Sequence, residues 1–157
     1  MIISLSLMLI ILAIIFSIII CHWVFDFVFQ THWQATNKST NNKALLQHTG
    51  VYSICWFVPI FIIFYVTGFH GTSSISFLNT TLFIISIVLA LVASILFVII
   101  TFIAHTITDY FTSRLNSKLW AKKDVHNFFV SVGFDQCLHY FQLFLTFVFI
   151  YNYFYGV

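Results

Sequence analysis

Three of the four aspartates in this chain have a histidine four residues away: His22 with Asp26, His105 with Asp109, and Asp135 with His139. With seven histidines available, a given aspartate meets one at that spacing by chance roughly one time in ten, so three in four is on the order of one in three hundred. Residues four apart share a helix face. Each pair therefore offers an imidazole and a carboxylate side by side. Each also belongs to a longer polar stripe: His22, Asp26 and Gln30; Thr101, His105, Asp109 and Ser113; Asn127, Ser131, Asp135 and His139. His48 and Tyr52 form a weaker counterpart.

Neutral imidazole and carboxylate together are ligands for a divalent ion, and helix bundles commonly hold such sites in their cores. The expectation is that His22, His105 and His139 hold Zn²⁺ or a similar ion, with His48, Asp26, Asp109 and Asp135 completing or flanking the site. Gln30 and Gln136 stand in support. One of Asp26, Asp109 and Asp135 then serves as general base on a water whose pKa the ion has lowered to about 7. The candidate ligands exceed the four of a tetrahedral site. Either some carboxylates orient the histidines from behind, or two ions share the site; the spacing leaves both open. The natural substrate is an amide, ester or phosphoester in an amphiphile whose head reaches the membrane interface. Two rival readings use the same residues: a proton or cation pathway along titratable groups, and a non-catalytic membrane module held together by structural His–Asp pairs.

The elements that position these residues follow from composition. Of 157 residues, 61% are hydrophobic and 6% charged, against about a quarter charged in a soluble domain. A water-soluble fold is excluded, and a net charge of +2 gives no nucleic-acid surface. No Asp, Glu, Lys or Arg occurs before Asp26, from Ala44 through Thr108, or after Asp135. A span needs roughly 20 apolar residues, so the middle stretch holds two, separated by a break over Gly68, Phe69, His70, Gly71, Thr72, Ser73 and Ser74. The fold predicted is all-α: a single polytopic domain, a four-transmembrane-helix bundle with helices about 2–30, 44–68, 77–112 and 126–155. The apolar runs are continuous rather than alternating, which excludes a membrane barrel.

The first helix reads as a true span, since it lacks a basic leader and has Ile18, Ile19 and Ile20 where a cleavage site needs small residues. Lys38 and Lys43 flank the first connection, and Arg114, Lys118, Lys122 and Lys123 occupy the third. Short basic loops stay cytoplasmic, which places both termini outside and collects the four polar elements in the cytoplasmic half. In the third connection, Phe111, Leu115 and Leu119 alternate with Arg114, Lys118 and Lys122 in the manner of an interfacial helix. His32 and His126 fall at loop edges and His70 in the outer turn. Trp23, Trp33 and Trp120 fit an interfacial aromatic belt, and Pro59 is placed to kink the second helix. Cys21, Cys55 and Cys137 follow no disulfide or metal spacing. No GxSxG, P-loop, GxGxxG or HExxH is present. No small-residue seam for self-association is visible, and the oligomeric state stays open.

At these residues the chain resembles the small bacterial and phage membrane proteins grouped as the domain of unknown function 3307 family. The resemblance is carried by His22-x3-Asp26-Phe27-x2-Gln30-Thr31-x-Trp33, by Asn37-Lys38 and Lys43 to His48, by His105-x3-Asp109, and by Phe134-Asp135-Gln136-x2-His139. These elements touch all four spans. The resemblance implies a four-helix integral protein of the bacterial inner membrane and no particular activity.

Overall fold

The computed structural model describes residues 5–71 and 80–156, and these are helical apart from short turns, with no strand among them. The order is α1 (Leu5–Trp23), a π-helical turn (Val24–Val28), α2 (His32–Asn37), α3 (Asn42–Cys55), α4 (Phe57–Gly71), α5 (Thr80–Ala121) and α6 (Val125–Tyr155). Four stretches are long and apolar enough to cross a bilayer: Ile11–Val28, Asn42–Thr67, Thr81–Ala121 and Val125–Tyr155. Thr72, Ser73 and Ser74 of the expected break lie outside the described residues, as does the His70 side chain.

Each boundary has a local cause. The first helix, expected to run to about residue 30, ends in a π turn in which the Phe29 N–H donates to Val24 O at 2.9 Å. The wider winding takes up an extra residue per turn and carries Asp26 into the bundle. Thr31 then starts α2 with a capping box: its hydroxyl accepts from the Gln34 N–H, and Gln34 Oε1 accepts from the Thr31 N–H. Asn41 Oδ1 caps α3 by accepting from the N–H groups of Lys43 and Ala44. Thr31→Ala is expected to lower stability by about 1 kcal/mol and to loosen the Lys38 end of α2, read as faster amide exchange over residues 32–38.

The second span is two helices in line, broken at Trp56. Pro59 has no N–H to donate to Cys55 O, and the Trp56 N–H tightens onto Ser53 O at 3.2 Å. The third helix runs nine residues past its expected end at 112, to Ala121. The interfacial stripe continues the span rather than forming a separate helix. Its 42 residues rise about 63 Å, twice a hydrocarbon core of about 30 Å. Only Lys122–Asp124 remain as a turn. Lys123 takes the left-handed region at φ 58°, and Asp124 caps α6 by accepting from Asn127.

Packing divides the bundle into two halves. Away from the first and third connections, Ile60 and Phe64 of α4, Ala90, Ala93 and Phe97 of α5, and Leu143 and Ile150 of α6 form the apolar core. Ala90, Ala93 and Ser94 are fully buried, so small residues on α5 admit close helix approach within one chain. Toward those connections the buried side chains are polar. There Thr106 Oγ1 donates to Thr49 Oγ1 at 2.8 Å, and Arg114 donates to Asn42 Oδ1 at 2.8 Å, tying α5 to α3.

Candidate metal centre

Six side chains from the four spans meet in that polar half: His22 on α1, Asp26 in the π turn, His48 on α3, His105 and Asp109 on α5, and His139 on α6. None is more than 3% exposed. The closest contacts run between helices. His48 Nε2 lies 3.0 Å from Asp26 Oδ1 and 3.3 Å from Asp109 Oδ2. His105 Nε2 lies 3.6 and 3.7 Å from those same two oxygens. The other oxygens face the other histidines: Asp26 Oδ2 is 3.8 Å from His22 Nε2, and Asp109 Oδ1 is 3.5 Å from His139 Nε2. Each carboxylate is thus divided between two histidine pairs.

Three overlapping sets place their donor atoms within 4.8 Å of one another: His22, Asp26 and His139; Asp26, His48 and His105; His105, Asp109 and His139. Nitrogen and carboxylate donors so grouped can hold a divalent ion. Hydrogen bonding does not satisfy the group: Asp26 Oδ1, His105 Nδ1 and both ring nitrogens of His139 are buried without an aligned partner. Buried polar atoms are normally paired, so these residues fit a cation better than a closed hydrogen-bond network.

The surroundings fix ring orientation. Tyr52 stacks on His105 at 4.0 Å, and His105 on His139 at 4.1 Å. The Tyr52 hydroxyl donates to His22 Nδ1 at 2.8 Å, leaving the Nε2 edge turned to the cluster, where it donates to Gln136 Oε1 at 2.9 Å. Gln30 Nε2 donates to His48 Nδ1 at 3.0 Å. Tyr52 and Gln30 therefore contact His22 and His48 from outside, where partners set the ring a metal would meet, while Gln136 sits on the cluster side, at His22 Nε2.

Asp135 stands apart from the ligand sets. Its Oδ2 accepts from Gln136 Nε2 at 3.1 Å and lies 3.6 Å from His139 Nδ1, while Oδ1 has no partner. It lies on the wall of a cavity of about 630 Å³ shared with Asp26, Gln30, Lys38, Ser113 and Gln136, a volume typical of ligand sites. His32 and His126 are exposed.

Lys38, read from sequence as a topology charge and as part of the Asn37-Lys38 element of the resemblance but not as a site residue, is a member of the cluster. Its Nζ donates to Asp109 Oδ2 at 2.9 Å and lies 3.4 Å from His48 Nε2. No helical periodicity points to it, because α2 folds it back from a connection. Burial disfavours the ammonium, but the contacting Asp109, then Asp26, outweigh that and hold its pKa above the ordinary 10.5. Since the folded value is the higher one, the contact stabilises fully below about pH 10.5 and is lost only as pH climbs through the raised value. Lys38→Met leaves Asp109 without its cation. The expected result is a loss of about 3–5 kcal/mol in metal-free protein, largely restored by added divalent ion, measured by thermal unfolding in detergent.

No protein-family model, curated protein or solved structure matches this chain.

Proposed function

We propose that this protein is a metal-dependent hydrolase of a membrane amphiphile, with a two-ion centre. The division of the carboxylates carries the reading. Asp26 Oδ1 and Asp109 Oδ2 face His48 and His105, while Asp26 Oδ2 faces His22 and Asp109 Oδ1 faces His139. The residues that would hold the ions are His22, His48, His105 and His139 with Asp26 and Asp109, nitrogen and oxygen donors of the kind zinc accepts.

When bound, such a pair polarises a carbonyl or phosphoryl oxygen and lowers the pKa of water. The chain's own residues supply the rest. Asp135, whose side chain lines the cavity, accepts the proton from the attacking water. Lys38, which lines the same cavity, stabilises negative charge on the reacting group. Tyr52 holds His22 in register through Nδ1. The family resemblance and the cytoplasmic orientation of this half belong to the same proposal: the basic connections lie beside the cluster, and cysteines placed at Lys43 or Lys122 should be labelled only from the cytoplasmic face of the bacterial inner membrane.

One contact favours the rival structural reading, the Lys38–Asp109 pair, because it balances a buried carboxylate without an ion. Elemental analysis of untagged protein separates the two. Two zinc, manganese or iron ions per chain, lost in His48→Ala and His139→Ala, support the centre. A well-folded wild type that takes up no divalent ion rejects it.

A further inference from the structure

A second cavity, of about 260 Å³, lies on the membrane side of the cluster, walled by Ile15, Ile18 and Ile19 of α1, Trp56, and Tyr140 and Leu143 of α6. An apolar cavity of about 150 Å³ is enough to take up benzene, so this one has room for a longer hydrocarbon. It lies within the spanning stretches, where no water is at hand to fill it. Its α1 wall is loosely closed: Ile15 and Ile19 are 50% and 42% exposed, and no described α1 side chain before His22 is buried. The medium on that side is lipid.

The two cavities abut the same histidine. Tyr140, in the apolar wall, packs on the His22 ring at 4.6 Å. Gln136, in the wall of the polar cavity, bonds His22 Nε2 at 2.9 Å. These residues are one turn apart on α6, about 6 Å of rise. Asp26, in the polar wall, follows His22 by one turn. A hydrocarbon seat and a polar seat therefore meet at the proposed metal centre.

We infer that the apolar cavity seats one acyl chain of a bilayer lipid, entering laterally between α1 and α6, while its headgroup occupies the cavity lined by Lys38 and Asp135. This rests on the hydrolase reading and narrows its substrate to a lipid whose chain–head linkage lies beside His22 and Asp26. Hydrolysis there consumes one water: the hydroxyl goes to the acyl or phosphoryl atom, the bond to the leaving oxygen breaks, and that oxygen takes the proton.

Trp56 reports on the seat, being 1% exposed yet part of its wall. A full-length protein with Trp23, Trp33 and Trp120 replaced by Phe is reconstituted in vesicles of phosphatidylglycerol brominated midway along one acyl chain. Trp56 fluorescence should be strongly quenched, and filling the cavity with Leu143→Phe should abolish most of that quenching. Ile15→Phe, on the half-exposed α1 wall, gives the same readout should the first variant fail to fold. Quenching that is absent, or unchanged in a folded filling variant, overturns the inference; absent quenching with a stable dimer in detergent assigns the cavity to a second copy instead. The assay needs neither metal nor turnover. Cavity-dependent quenching without lipid cleavage by metal-loaded protein keeps the acyl seat and rejects the hydrolase, whereas cleavage without quenching rejects only the seat.

Discussion

Asp26→Asn should remove both ions at once and lower turnover on the order of 10³-fold or more, since loss of one preorganised electrostatic group already costs about 10²–10³. The reason is geometric: Asp26, like Asp109, turns its two oxygens to different histidine pairs, with Oδ1 3.0 Å from His48 and Oδ2 3.8 Å from His22. An amide has one oxygen and no charge, so it can serve only one position. If the ions were bound independently, or by the histidines alone, metal content would fall by one or not at all. Elemental analysis of the variant next to His22→Ala, which deletes a ligand from one position only, distinguishes these outcomes. The protein should remain folded, because Asn keeps the shape and the Gln136 Nε2 contact to Asp26 Oδ2, at 3.5 Å, is weak.

Asp135→Asn should behave in the opposite way: both ions retained, and turnover reduced by about 10²–10⁴, the usual worth of a positioned base. Asp135 is outside the three donor sets, so its loss removes no donor, but it removes the carboxylate that lines the cavity. Metal content and rate measured on one preparation decide the matter. Loss of metal would make Asp135 a ligand; an unchanged rate would remove it from the chemistry. Together the two variants separate holding the ions from moving the proton.

Much of this arrangement is legible in the sequence because of two physical regularities. The cost of charge in hydrocarbon confines Asp, Lys and Arg to the ends of apolar runs, which fixes four spans and places the polar residues near the first and third connections. The 3.6-residue helical period then puts His22 with Asp26, His105 with Asp109, and Asp135 with His139 on common faces. Yet these intrahelical pairs are not the tight ones. They sit 3.8, 3.7 and 3.6 Å apart, while Asp26 to His48 is 3.0 Å and Asp109 to Lys38 is 2.9 Å.

Periodicity constrains neighbours on one helix and says nothing about how far each helix is rotated toward the others. That was decided by packing: buried Ala90 and Ala93 let α5 approach its neighbours, and the π turn carries Asp26 into the buried cluster. The fold-back of α2, set by the Thr31 capping box, delivers Lys38 from a connection that no hydrophobic pattern describes. Rotation also left Asp135 outside the three donor sets and opened the two cavities on either side of His22. The sequence by itself determined which residues reach the same depth of the membrane; the tertiary structure decided which atoms meet there, because only side-chain packing between helices sets their rotation.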